Sequence, residues 1–215
     1  MKHPAKFSDA LMPVFAEAIK RNAHPDMLYT ILDPFAGTGK IFELERLLPG
    51  ATCYGVELEP EWAAMSRAEV GDALHLRFYD NTMSVICTSP SYGNRMADHH
   101  EARDASQRNT YRHTLGRPLT PGSSAGLQWG DAYRGFHILA WNEACRVLKP
   151  GGLFILNISN HIRKGYEMEV SEWHKYALEE LGLRCLRDIH VETPRQRFGA
   201  NRARVEFEHV YVFRK

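Results

Sequence analysis

"LYTILDPFAGTGK", residues 28–40, joins an apolar run to a glycine-rich turn, and this junction decides the fold. The run from Leu28 to Leu32 suits a buried strand, and "IFELERLLPG" (41–50) behind the turn suits a helix. Gly37 and Gly39 can take backbone angles closed to other residues, so a ligand can come close to the chain there. The helix after them offers unpaired N–H groups and a positive dipole end to an anion such as a carboxylate. The turn is neither GxGxxG nor a phosphate-cradling loop, because Lys40 follows Gly39 at once.

Upstream, Ser8 is placed to cap a helix running to about Arg21, with Leu11, Val14, Phe15 and Ile19 on one face. Downstream, "TCYGVELEP" (52–60) and "MSVICTSP" (83–90) read as strands, and "EWAAMSRAEV" (61–70) as a helix after Pro60. A long helix over "GFHILAWNEACRVLKPGG" (135–152) leads into the strand "LFILNIS" (153–159). "VSEWHKYALEELG" (170–182) is a last helix, and "LRCLRDIHVET" (183–193) and "RVEFEHVYVFRK" (204–215) are closing strands, expected as an antiparallel pair at the sheet edge. Strands alternating with helices imply a doubly wound, mostly parallel α/β sheet that binds ligands beyond the carboxyl ends of its strands. The unusual sequences all fall at such ends. Glu57 closes the second strand, where a carboxylate meets two ribose hydroxyls in doubly wound folds. Asp72, in "GDA" (71–73), closes the third and is placed to accept from an adenine amino group.

The fourth strand ends in "TSPSYGNR" (88–95). In order and spacing, "DPFAGTG" (33–39), "GVELEPEW" (55–62), "GDA" and "TSPSYGNR" resemble S-adenosylmethionine-dependent methyltransferases, particularly the DNA amino-methyltransferases of N4-cytosine or N6-adenine type. The likeness covers Leu28 to about Ser159 well, and "KFSDAL" (6–11) more loosely. It implies a class I methyltransferase-like sheet and S-adenosyl-L-methionine as cofactor. Asp33, Pro34 and the Gly37–Thr38–Gly39 turn would hold the methionine end, with Phe35 against it. Glu57 would bind the ribose, Asp72 and Ala73 the adenine, and Phe7 and Ser8 would close over the methionyl part.

In that family the fourth strand ends in Asp, Asn or Ser, then Pro-Pro, then an aromatic residue. Ser89, Pro90 and Tyr92 match, whereas Ser91 stands where a second proline is usual. An exocyclic amino group is a poor nucleophile because its lone pair is delocalised into the ring. The Ser89 side chain and the Pro90 carbonyl would accept its protons and aim the lone pair at the methyl, while Tyr92 stacks on the flipped base. A second proline chiefly stiffens the loop, so Ser91→Pro is expected to keep or raise activity. A C5-cytosine enzyme would need a cysteine after the proline, and Ser91 occupies that place. Serine at the first position is commoner among N4-cytosine enzymes, which favours cytosine N4. The remaining readings are N6-adenine, RNA guanine-N2 or protein-glutamine methylation, and a non-catalytic, cofactor-binding DNA-binding subunit.

The Asp72–Ser89 gap has no room for a separate recognition domain, and the chain after Tyr92 must still complete the sheet, so residues 1–215 read as one domain with an Arg/His-rich inserted loop at about 93–135. Arg95, Arg103, Arg108 and Arg112 in that loop, with Arg117, Arg134, Tyr111 and Trp129, suit phosphate contacts and base stacking. Arg195 and Arg197 add a second basic cluster between the closing strands. DNA is the expected partner, by local rather than global charge, since the net charge is +1. A homodimer, or a separate specificity or nuclease partner, stays open. The paired histidines at 99–100 lack ligands at defined spacing, so no metal is expected. Four scattered cysteines without a CxxC pair, and no apolar run of membrane length, point to the cytoplasm.

Overall fold

A computed structural model describes residues 10–23, 28–97, 110–192 and 205–215, and of Arg95 only the backbone. The strands are β1 Thr30–Asp33, β2 Thr52–Glu57, β3 Glu69–Val70, β4 Met83–Thr88, β5 Leu148–Ile158, β6 His161–Arg163, β7 Tyr166–Met168, β8 Arg184–Glu192 and β9 Phe207–Arg214. The α-helices are α1 Leu11–Asn22, α2 Leu44–Leu47, α3 Pro60–Ala63, α4 Tyr111–Leu115, α5 Asp131–Val147 and α6 Val170–Glu180. Seven strands form one sheet in the order β3-β2-β1-β4-β5-β9-β8, and β6 and β7 form a separate hairpin. The first five are parallel, and only β9 runs against its neighbours. This is the doubly wound, mostly parallel sheet with a closing antiparallel hairpin.

Side-chain alternation builds the three layers. Ile31, Val85, Cys87, Leu153, Ile155, Val210 and Val212 point to one face and pack under α1 and α2. Leu32, Ile86, Phe154, Leu156, Tyr211 and Phe213 point to the other, under α5 and α6. The last strand does not lie at the edge. β9 inserts between β5 and β8 because Val210–Phe213 are buried on both faces, whereas β8 alternates between exposed and half-buried residues. The order of strands reverses between β1 and β4, which opens a crevice at their carboxyl ends.

Several boundaries differ from the sequence reading. The helix expected over 61–70 is one turn, because Trp62 and Ala63 are buried there and the chain then turns toward β3. α1 has no side-chain cap at its first residue, and Ser8 lies outside the described residues. The stretch between 110 and 130 is not an irregular loop throughout. Thr110 caps α4 by accepting from the His113 N–H at 3.1 Å, and Tyr111, Leu115 and Ala125 bury themselves against Trp62. Among the described residues, no helix is long and apolar enough to cross a membrane.

Candidate functional site

The glycine turn, Glu57, the segment Gly71–Ala73 and the loop Ser89–Tyr92 line one cavity of about 590 Å3. That is a usual size for a small-molecule site, roughly 300–1,000 Å3. Of the residues expected to hold a cofactor, Pro34, Phe35, Gly37, Thr38, Gly39, Glu57, Asp72 and Ala73 all face it. Phe7 and Ser8 lie outside the described residues; Leu11, just after them, is in the wall.

Asp33 is placed differently. It is fully buried and not in the lining, so it sits beneath the turn expected to take a ligand's methionine end rather than in the cavity wall. Its Oδ1 accepts from the Phe35 N–H at 3.0 Å and from the Thr88 hydroxyl at 2.6 Å, so it ties the end of β1 to the end of β4. Oδ2 has no hydrogen-bond partner among the described residues, and burial pushes the carboxyl up to about 7. Asp33 shapes the turn from beneath.

Glu57 is nine-tenths buried, and burial raises its pKa. Its Oε2 accepts from the Gly37 N–H and its Oε1 from the Glu59 N–H, both at 2.8 Å. Each oxygen keeps a second lone pair, so the carboxylate is fixed in place and still able to accept from a diol. Asp72 Oδ1 accepts from the Leu74 N–H at 2.9 Å, which closes the turn after β3.

Behind the lining lies a residue the sequence reading missed. Glu59 is fully buried and accepts from Arg117 at 2.8 Å, from the Thr120 N–H at 2.8 Å and from the Thr120 hydroxyl at 2.9 Å. This clamps the segment from Arg117 to Ala125 over the site, with Tyr111 and Ser123–Ala125 in the lining. Arg117 is therefore committed to Glu59 and Glu61, not to a phosphate. Arg134 pairs with Asp131 and lies 5.2 Å over the Trp129 ring. Arg112 sits on α4 beside a second hollow lined by Met96, Pro118 and Leu119. Arg103, Arg108, Arg195 and Arg197 lie outside the described residues, as does the side chain of Arg95.

The loop after β4 is tied down at Ser89, Ser91 and Tyr92. Ser91 Oγ donates to the Ser124 carbonyl at 2.9 Å, and the Ser91 carbonyl accepts from the Tyr133 hydroxyl at 2.7 Å. Behind Tyr133 the donors fix every proton. Trp141 Nε1–H, which can only donate, gives to His174 Nδ1 at 3.0 Å. His174 Nε2 then carries the ring hydrogen and donates to Tyr133 Oη at 2.9 Å, because the Tyr133 hydrogen is already given to Ser91. Burial holds His174 well below its ordinary pKa, which keeps this neutral tautomer. At Gly93, φ is +63° and an added Cβ would come within 2.8 Å of the Trp129 nitrogen, so only glycine lets the loop meet the start of α5.

These contacts correct the expectation for Ser91. Its hydroxyl does what a proline ring cannot, by holding the Ser124 wall. Ser91→Ala should lose one hydrogen bond, about 0.5–1.5 kcal/mol. Ser91→Pro should recover roughly 0.4–1 kcal/mol through a stiffer unfolded chain, yet still release Ser124. Urea unfolding should therefore rank parent, Ser91→Pro, Ser91→Ala. Ligand turnover should fall in both variants, and higher turnover for Ser91→Pro would show the Ser124 bond to be idle.

Tyr92 is also more constrained than a freely presented stacking ring. Its hydroxyl lies 2.9 Å from Ser89 Oγ, receives Asn157 Nδ2–H at 2.7 Å and donates to Glu208 Oε2 at 3.3 Å. Burial, then the Glu208 charge, raises its pKa well above the ordinary value. Asn157 and Glu208, from β5 and β9, both face the cavity. A polar residue inside the apolar "LFILNIS" was the one available signal for Asn157; Glu208 gave none. Cys87 is fully buried, which pushes its thiol well above the usual range, so it is no nucleophile.

No protein-family model and no curated protein matches the sequence. Solved structures do. The [4+2]-cyclase SpnF superposes with a TM-score of 0.60 at 14% identity, covering 100% of this chain and 84% of that one. A putative sarcosine dimethylglycine methyltransferase from Galdieria sulphuraria gives 0.58 at 14%, covering 99% and 92%. A SAM-dependent methyltransferase from Methanosarcina mazei gives 0.55 at 13%, covering 92% and 96%. A cyclase among them leaves the reaction to be argued from the site. The fold itself is the class I fold of S-adenosylmethionine-dependent methyltransferases.

Proposed function

We propose that this chain binds S-adenosyl-L-methionine and transfers its methyl group to an exocyclic amino group of a DNA base, with cytosine N4 the favoured acceptor. One observation carries the reading: the glycine turn with Glu57 and Asp72, and the Ser89–Tyr92 loop, line the same cavity. The residues fit the cofactor. Glu57 would offer two held acceptor oxygens to a ribose, Asp72 and Ala73 would flank an adenine, and the Gly37–Gly39 turn would admit the amino-acid end. When bound, the cofactor supplies an electrophilic methyl group on a sulfonium that leaves as a neutral thioether. Ser89 Oγ and the Pro90 carbonyl accept from the amino group and turn its lone pair toward that methyl; the Tyr92 ring bounds the base. Positioning of this kind can supply much of the acceleration.

DNA as partner rests on the sequence alone: Arg95, Arg103, Arg108, Arg112, Arg195 and Arg197 would meet phosphates while a base is flipped out for reaction. Arg117 and Arg134 drop out of that set because their charges are already paired. DNA and RNA from cells expressing the protein, digested to nucleosides and analysed by mass spectrometry, test the reading. N4-methylcytosine in DNA is expected. N6-methyladenine would move the acceptor to adenine, and methylation confined to RNA would move the substrate. Tight cofactor binding with no methylated base would make the chain a non-catalytic subunit.

A further inference from the structure

We infer that Glu208 is the final acceptor of the proton lost by the substrate amine, reached from Ser89 through the Tyr92 hydroxyl. The inference rests on the methyl-transfer reading above. It explains how serine can stand where many relatives of the motif have a carboxylate.

The direction of the hydrogen bonds follows from the donors present. An ionised carboxylate only accepts, so the single hydrogen of the Tyr92 hydroxyl points to Glu208 Oε2, 3.3 Å away. Tyr92 Oη can then only accept from Ser89 Oγ at 2.9 Å. Asn157 Nδ2 lies 2.7 Å from Glu208 Oε2, 2.7 Å from Tyr92 Oη and 3.2 Å from Ser89 Oγ, and its pair of hydrogens serves the two nearer acceptors. Turning that amide over would set its oxygen against the carboxylate, so its orientation is fixed by Glu208. The Ser89 hydrogen therefore points toward Tyr92, and a lone pair of Ser89 is left to receive an N–H. With the chain reversed, Ser89 would present a hydrogen to a group that presents hydrogens itself.

The chemistry balances along this path. The amine lone pair forms the N–C bond as the methyl C–S bond breaks, and that bonding pair leaves with sulfur. The nitrogen, now positive, releases one proton to Ser89 Oγ as the Ser89 proton passes to Tyr92 and the Tyr92 proton to Glu208. Both hydroxyls end unchanged, the methylated amine is neutral, and Glu208 is a neutral acid that returns its proton to solvent. Serine alone offers the proton no onward path, whereas the carboxylate two hydrogen bonds further on can accept it and pass it to solvent.

Glu208→Gln keeps the shape, but its amide can donate to Tyr92 and reverse the chain. Single-turnover transfer should fall at least about a hundredfold, the low end of a general-base contribution. Cofactor affinity by calorimetry should stay within about twofold, since Ser89 and Tyr92 face the acceptor and not the cofactor. Glu208→Asp should keep partial activity, because it retains an acceptor-only carboxylate for Tyr92. An unchanged rate in Glu208→Gln overturns the relay. A second measurement needs no substrate. With carboxyl-13C-labelled glutamate, the resonance lost in Glu208→Gln should be that of an ionised group at pH 7.5 and should move in Tyr92→Phe. A protonated signal, or one indifferent to Tyr92→Phe, overturns the relay on its own. If that signature is present and the cofactor binds, yet the parent methylates nothing, it is the methyl-transfer reading that fails.

Discussion

Gly39→Ala is expected to destabilise the chain by about 2–5 kcal/mol and to close the cofactor end of the cavity with it. Two costs add. Gly39 has φ +78°, a left-handed angle that costs a residue with a Cβ roughly 1–2 kcal/mol. The new Cβ would also lie 2.3 Å from Ser66 Cβ and 2.9 Å from Phe42 Cδ2. Ser66 Cβ is fixed to the backbone, so no rotamer relieves the clash, and overpacking of this kind costs about 1–3 kcal/mol. Ser66 also accepts from the Ala68 N–H at 3.0 Å, so its displacement disturbs the approach to β3. Gly50→Ala is the control: φ is +85° there and an added Cβ meets nothing within 4 Å. Urea unfolding should separate the two by the overpacking cost. Equal stabilities would mean that the turn yields freely.

Glu57→Ala should weaken S-adenosylmethionine binding by roughly 1.5–3 kcal/mol, the range of charge-assisted hydrogen bonds, or about ten- to 150-fold in Kd. Removing the carboxylate leaves a ribose diol without its buried acceptor. It also takes the acceptor from the Gly37 and Glu59 N–H groups. Because Glu59 holds Arg117 and Thr120, the cofactor end and the covering segment are linked through three residues of one short stretch. Calorimetry with a parallel melting curve divides the two effects. Unchanged affinity would remove Glu57 from the cofactor site; a loss matched by collapse of the fold would make its role structural.

Local patterns carried the fold because each was dictated by its own residues. The apolar run before "DPFAGTG", the helix period of 135–147 and the near-continuous apolar "HVYVF" need no distant partner to be read. The same is true of the strand ends: Glu57, Asp72 and Ser89–Tyr92 stand at fixed distances from their strands, and a parallel sheet gathers all such ends at one edge.

What the sequence could not supply is anything set by a partner far along the chain. β9 lies between β5 and β8 because of burial on both faces, a property of the assembled sheet. Asp33 reads as a ligand contact, yet the Thr88 hydroxyl, 55 residues away, draws it beneath the floor. Arg117 reads as one more basic residue of a loop until Glu59 and Glu61 take its charge. Ser91 reads as a lost proline until Ser124 comes within reach. Glu208 gives no sign in "EFEHVYV", and only the pairing of β9 with β5 sets it beside Asn157 and Tyr92. Spacing along the chain fixes which residues share a strand end; which of them meet a ligand and which are consumed by one another is decided by long-range hydrogen bonds and charge pairs.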